Sequence, residues 1–260
     1  RKPVGITHRH GSTGSPDMVR LSYGNIWSNT NSIVESLGIS YTDRTITTMP
    51  MSYSYGLSIV NTHLFKGASI ILTDATLMEK RFWSLIKDCN ATTFGGVPFI
   101  YEMLKKLRFE KMELPCLKYI TQAGGKLNQK MIEEFARICS TKSIAFYVMY
   151  GQTEATARMS CLPWKYIGGK TGSIGYPIPG GSFYLEDQNG NILEDDDILG
   201  EIVYQGDNVS LGYAKNCDFL CKGDENRGVL HTGDLGKRDR DGFYYIVGRK
   251  SRFLKIFGNR

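Results

Sequence analysis

From residue 68 to about residue 165 the chain alternates short apolar runs with segments of helical spacing, and that alternation leaves few architectures open. Residues 68–73, 92–97, 117–122 and 144–149 read as strands, because compact runs rich in β-branched and aromatic residues suit strands buried on both faces. Residues 82–89, 99–107 and 131–139 read as the intervening helices, and residues 25–37 carry helical spacing behind Ser22, an N-cap candidate. A strand followed by a helix followed by a strand returns in the same direction, so the pattern predicts an α/β fold with a mostly parallel sheet flanked by helices. Beyond residue 165 the character changes. Turn signals at Pro179-Gly180-Gly181, Asn189-Gly190 and Asp241-Gly242 separate short segments at 183–186, 201–204 and 243–247. These predict a smaller antiparallel β subdomain, giving an α/β part at 1–165 and a β-rich part at 166–247.

Composition narrows the class of protein. With 260 residues and 41% hydrophobic content, the chain is long enough to bury a sizeable core. No run approaches the roughly eighteen apolar residues of a membrane span, and Arg1-Lys2-Pro3 lacks the apolar core of a signal peptide. A cytoplasmic location is expected. The net charge of +6 is interleaved with acids, as between Lys105 and Glu113, so no nucleic-acid partner is expected. Six cysteines form no CxxC pair, and Cys217 and Cys221 have no second pair at zinc-site spacing. Reduced thiols are the expectation. The histidines at 8, 10, 63 and 231 are scattered.

Three blocks carry chemistry. The run at 144–149 ends in Tyr150-Gly151-Gln152-Thr153-Glu154, and residues just past a strand's carboxyl end line the ligand crevice of an open α/β sheet. A hydroxyl at Thr153 can bond a phosphate oxygen, and a carboxylate at Glu154 can ligate magnesium while water and phosphate fill the remaining positions. The alternative is a solvated Thr-Glu pair at a helix start. Gly11-Ser12-Thr13-Gly14-Ser15-Pro16 can wrap backbone N–H groups and hydroxyls around an anion. It lacks the Lys-Ser or Lys-Thr of a Walker loop. An acidic side chain that accepts from two ribose hydroxyls is a recurrent way to fix a nucleoside, and the third block, His231-Thr232-Gly233-Asp234, offers one, with a turn and an aromatic strand leading on to Gly248-Arg249.

In order and in kind these blocks resemble the AMP-forming adenylate-forming enzymes, which include acyl-CoA synthetases, peptide-synthetase adenylation domains and luciferases. The resemblance implies a ligase that uses ATP and Mg²⁺ to make an acyl-adenylate from a carboxylic acid, then passes the acyl group to a thiol of CoA or of a carrier protein. It assigns Thr153 to the α-phosphate and Glu154 to the metal as the catalytic pair. Gly11, Ser12, Thr13, Gly14, Tyr150, Gly151 and Gln152 would surround the nucleotide, Asp234 and Arg249 would hold the ribose, and Gly124 and Gly125 would pack on adenine. Tyr53 and Tyr55, in Pro50-Met51-Ser52-Tyr53-Ser54-Tyr55-Gly56, are the candidates for the acid, although tyrosines beside glycine also serve as core and turn residues. Arg158 is a further candidate for an anion, with an exposed arginine as the default.

The sequence also departs from the family pattern. Asp17 stands where the family's phosphate loop usually has Lys, and a carboxylate 4 Å from a phosphate costs roughly 1 to 4 kcal/mol for effective dielectrics of about 80 to 20. Arg9 and His10 stand where small hydroxylated residues are usual, and Ser251 stands at a hinge position commonly Asp or Lys. Against the family the chain reads as a central fragment, with residues 248–260 opening a hinge, the C-terminal lid domain absent and little or no ligase activity expected of this piece. The competing expectation is a non-catalytic nucleotide or acyl-adenylate binding protein, degenerate in the phosphate loop.

Overall fold

The structure, a computed structural model, describes residues 3–8 as backbone and residues 18–250 with their side chains. The chain forms two compact units. The first comprises residues 1–29, 152–161 and 173–260, and the second residues 30–151 and 162–172.

Two strands of the first unit open the chain, β1 (Pro3–His8) and β2 (Met18–Ser22), followed by helix α1 (Tyr23–Leu37). Ser22 caps α1 as its sequence suggested. Its hydroxyl accepts from Asn25 N at 3.1 Å, and Asn25 Oδ1 accepts in turn from Ser22 N at 2.8 Å. The exchange satisfies donors that a helix start leaves without intrahelical partners.

The second unit holds β3 (Arg44–Ile46), α2 (Ser54–Phe65), β4 (Ser69–Ile71), α3 (Lys80–Asp88), β5 (Thr93–Gly96), α4 (Pro98–Lys106), β6 (Tyr119–Gln122), α5 (Gln129–Thr141) and β7 (Ala145–Tyr150). Its strands run parallel in the order β4-β3-β5-β6-β7. Every residue of β5 and β6 is buried, which is why these segments read as continuous runs rather than alternating ones. Helix α5 buries Ile132, Phe135 and Cys139, the spacing of one helical face. Phe135 meets Tyr101 of α4 edge-on at 5.0 Å and lies 6.2 Å from Phe146 of β7. Each such buried ring contributes about 1.5 to 3 kcal/mol. Cys139 and Cys161 are buried, and desolvation pushes both thiols up to about 12.

Two elements of this unit carried no sequence signal. Strand β3 has three residues. Helix α2 inverts the usual pattern: it buries Ser54, Ser58 and Thr62 while Leu64 and Phe65 are exposed. The buried hydroxyls are satisfied by the helix's own carbonyls, Ser58 Oγ donating to Tyr55 O at 2.7 Å and Thr62 Oγ1 to Ser58 O at 2.8 Å. A search for an apolar stripe misses such a helix.

The first unit resumes with β8 (Ser160–Leu162) paired to β9 (Tyr176–Pro177), then β10 (Gly181–Glu186), β11 (Ile192–Leu193), β12 (Gly200–Gly206), β13 (Tyr213–Ala214), β14 (Val229–Arg238) and β15 (Tyr244–Arg249). The antiparallel sheet β11-β10-β12-β14-β15 is the predicted β-rich part, and β13 joins β2 and β1 in a smaller sheet. Burial alternates along β10 and β14, as in a sheet with one solvated face. Phe183 packs between Tyr204 and Tyr244 at 5.3 and 5.0 Å. Strand β14 was legible only as a motif, because His231-Thr232-Gly233-Asp234 lies in its middle.

Candidate functional site

Strand β14 bulges at that motif. Val203 of β12 faces His231, yet Glu201 faces Leu235, so the residues between them are looped out of register. Gly233 takes φ +71, a left-handed value that only glycine adopts without strain. Its N–H donates to Glu201 Oε1 at 3.0 Å, while Thr232 Oγ1 donates to Ile202 O at 2.6 Å and accepts from Asp234 N at 3.1 Å. The bulge thereby fixes the backbone that carries Asp234, which is 3% exposed. Arg249, opposite it on β15, contacts Asp234 Oδ1 through Nε at 2.7 Å. Gln152 Nε2 donates to Asp234 Oδ2 at 3.1 Å and to Thr232 O at 2.9 Å.

Thr153, Glu154 and Ala155 form a 3₁₀ turn. Positive φ values at Thr156 (66°) and Ala157 (143°) reverse the chain after it, a strained path that neighbouring contacts must hold. They do so through the loop before β13: Ser210 N donates to Glu154 O at 2.8 Å, Thr156 Oγ1 to Asn208 O at 2.6 Å, and Asn208 Nδ2 to Ala155 O at 2.8 Å. Glu154 is 7% exposed, so the reading of a solvated Thr-Glu pair does not hold for it. Its Oε1 accepts from the Tyr213 hydroxyl at 2.7 Å. Among the described residues no group of three or more His, Cys, Asp or Glu side chains is arranged to hold a metal ion. A single buried carboxylate fits magnesium, which takes one or two protein carboxylates and leaves its other positions to water and phosphate.

In the second unit, Gly124 follows β6 with φ +76, and a Cβ built on it would collide with the Tyr53 hydroxyl. Gly125 lies against Pro98, and Gln122 Nε2 donates to Gly125 O at 2.8 Å. The turn therefore exposes backbone rather than side chain. Tyr55 is 3% exposed, and its hydroxyl donates to Thr121 O at 2.9 Å. A cavity of about 860 Å³ opens at the carboxyl ends of β3, β4 and β5, lined by Met49, Met51, Leu72, Met78, Phe99 and Met103 among others. The sheet order reverses at β3, whose neighbours are reached in opposite directions, and such switch points are where open α/β sheets bind ligands. Its volume lies in the range of small-molecule pockets.

Of the residues singled out in the sequence, Gln152, Thr153, Glu154, Asp234 and Arg249 belong to the first unit. Tyr53, Tyr55, Gly124, Gly125, Tyr150 and Gly151 belong to the second. Gly11, Ser12, Thr13, Gly14 and Asp17, with Lys2, Arg9, His10 and Ser251, lie outside the described residues. Arg158 is 1% exposed, correcting the expectation of a surface arginine. Sequence reading passed over Tyr213, Asn208 and Arg20. The last had a signal, an arginine inside the apolar strand Met18–Ser22, where a charge survives only with dedicated partners.

Comparison with known proteins identifies the company this geometry keeps. The sequence model of the family described as AMP-binding enzyme matches residues 6–214. A 2-succinylbenzoate–CoA ligase of Bacillus cereus is 30% identical over 258 residues, covering 98% of this chain and 51% of the relative. The O-succinylbenzoate coenzyme A synthetase of Bacillus subtilis, solved in complex with AMP, superimposes with a TM-score of 0.81 at 25% identity, covering 95% of this chain and 49% of that one. The same enzyme with ATP and magnesium ion gives a TM-score of 0.81 at 24% identity over 95% of this chain and 50% of that one. The chain spans about half the length of the curated relatives it matches. No helix among the described residues is long and apolar enough to cross a membrane.

Proposed function

The chain belongs to the AMP-binding enzyme family, and on that premise we propose that it serves an ATP-dependent ligase that activates a carboxylic acid as acyl-AMP and transfers the acyl group to CoA. The observation that carries this reading is Asp234, buried in a bulged strand and gripped from both sides by Arg249 and Gln152. A buried carboxylate held this firmly is preorganised to accept two vicinal hydroxyls, the feature that separates a ribose from a simple phosphate.

In the first unit, Asp234 and Arg249 hold the ribose, Thr153 bonds the α-phosphate, and Glu154 is the carboxylate that would ligate magnesium. Gln152, which bonds Asp234 Oδ2, orients that carboxylate as well as bordering the nucleotide. Bound magnesium would offset phosphate charge, favouring the approach of a second anion. Gly11 to Gly14 are further phosphate candidates of this unit, and Tyr150 and Gly151 are nucleotide candidates of the second. In the second unit, Gly124 and Gly125 offer the flat backbone on which adenine packs. The methionine-rich cavity takes the apolar body of the acid, flexible thioethers adapting to its shape. The Tyr53 hydroxyl lies against Gly124, and Tyr55 bonds Thr121 of β6.

The chemistry follows from these placements. A carboxylate oxygen attacks the α-phosphorus, the bond to pyrophosphate breaks, and the mixed anhydride is then attacked at its carbonyl carbon by a thiol sulfur, releasing AMP. The relatives' names as CoA ligases, and the AMP, ATP and magnesium in the Bacillus subtilis crystals, support CoA, ATP and Mg²⁺ as partners.

Calorimetric titration with Mg-ATP tests the reading. Asp234→Ala removes a charged hydrogen-bonding partner worth roughly 1.5 to 3 kcal/mol, so affinity should fall by at least about tenfold. Absence of binding to the folded wild-type chain would overturn the nucleotide site proposed here.

A further inference from the structure

We infer that Tyr213 is a positioning residue for the metal-ligating carboxylate, and that Arg20 locks Tyr213 in place. Tyr213 lies on β13, far in sequence from the Thr153-Glu154 motif, and its hydroxyl donates to Glu154 Oε1 at 2.7 Å. A phenol spent on one carboxylate oxygen fixes the rotation of the carboxyl group, so a ligated cation is met by an oxygen of settled direction. Donors of this kind, one step removed from the metal, commonly change its affinity by about 10- to 100-fold when removed.

The short strand carrying Tyr213 has its own anchor. Arg20 on β2 is 0% exposed, and its guanidinium gathers the segment around β13. Nε donates to Tyr213 O at 3.2 Å, Nη2 to Leu211 O at 2.6 Å, and Nη1 to Lys222 O at 2.8 Å. Glu225, at 2.7 Å from Nη2, balances the charge. Gly212 lies where a Cβ would come within 2.9 Å of Arg20 Nη2, at φ +115, so the approach of the guanidinium to this backbone requires glycine. These bonds add to the two-residue pairing of β13 with β2 and to the bond from Ser210 N to Glu154 O in holding the phenol. The path Arg20, Tyr213, Glu154 transmits the order of the β2–β13 pairing to the carboxylate.

The inference rests on Glu154 as the magnesium ligand, so the test separates the two. ATP affinity is measured by calorimetry with excess Mg²⁺ and again with EDTA, for wild type, Glu154→Gln and Tyr213→Phe, with thermal melts as folding controls. Tyr213→Phe keeps the ring and should reduce the magnesium-dependent gain in ATP affinity by about tenfold, leaving the affinity in EDTA and the melting temperature close to wild type. Glu154→Gln should reduce the gain further. Equal loss with and without magnesium, or an unchanged gain in Tyr213→Phe, overturns the positioning role while leaving Glu154 in place. An unchanged gain in Glu154→Gln overturns the metal assignment itself, and this inference with it.

Discussion

The two units build their ligand-facing parts from different material. In the first, side chains hold side chains: Asp234 is gripped by Arg249 and Gln152, and Glu154 by Tyr213. In the second, the carboxyl edge of the sheet offers backbone at Gly124 and Gly125, and the charged bracing lies at the opposite end. There Asp43, 4% exposed, accepts from Ser40 N at 2.8 Å, Lys118 Nζ at 3.0 Å and Thr92 Oγ1 at 3.2 Å, tying together the amino ends of β3, β5 and β6. Charges that must be placed need partners, whereas a flat surface needs side chains to be missing. Loss of a side chain should therefore impair binding in the first unit, and gain of one should impair the second.

Gly124→Ala is the strongest test of that contrast. The added methyl meets the Tyr53 hydroxyl, and φ +76 is strained for alanine, together costing roughly 1 to 3 kcal/mol. Chemical denaturation should show the loss. Repeating the substitution in a Tyr53→Phe background separates the two causes, since removing the hydroxyl relieves the collision and leaves the dihedral strain. If Gly124→Ala is neutral in both backgrounds, the turn does not depend on the missing side chain.

Asp43→Asn probes the opposite end of the same sheet. Burial by itself raises the Asp43 pKa, but the Ser40 N–H and Lys118 outweigh it and hold the carboxyl below its usual value. A carboxylate whose folded pKa is depressed stabilises the fold above its unfolded pKa, near 3.9, and that contribution fades as pH falls through the folded value. The variant should lose about 1 to 2 kcal/mol at pH 7. Its deficit relative to wild type should shrink below about pH 4, and ATP affinity should stay unchanged throughout. A deficit independent of pH would assign the effect to packing rather than charge.

These contrasts also explain what could be read in the sequence. The parallel sheet was legible because β5, β6 and β7 are short runs rich in β-branched or aromatic residues between helices with clear faces, and Tyr150 to Glu154 and His231 to Asp234 stood out because their chemistry is written in adjacent residues. Helix α2 was hidden by its buried hydroxyls, which bond its own carbonyls and erase the apolar stripe. Tyr213 was hidden for a different reason: its relation to Glu154 exists only through contacts between segments far apart in the chain, the β13–β2 pairing and the bonds of Asn208 and Ser210 to the Glu154 turn, which no local pattern encodes. The cavity was equally silent, since Met49, Leu72 and Phe99 come together only because three strands end side by side.

The smallest expected effect completes the contrast within the first unit. Ser22→Ala removes the hydroxyl that accepts from Asn25 N, leaving that N–H without its cap on a residue that is 0% exposed. Asn25 retains its bonds to Asp207 O and Val209 O at 2.6 and 2.7 Å, which should keep the start of α1 in place. A loss near 1 kcal/mol is therefore expected, within the usual 0.5 to 2 kcal/mol for such caps. Mg-ATP affinity should not change, because the cap touches neither Asp234 nor Glu154. Asp234→Ala should show the reverse, lost affinity with little change in melting temperature, since its neighbours reach Thr232 O without it. Should Ser22→Ala weaken ATP binding as much as Asp234→Ala does, the grip on Asp234 is a property of the unit's general stability rather than a site prepared for a ligand.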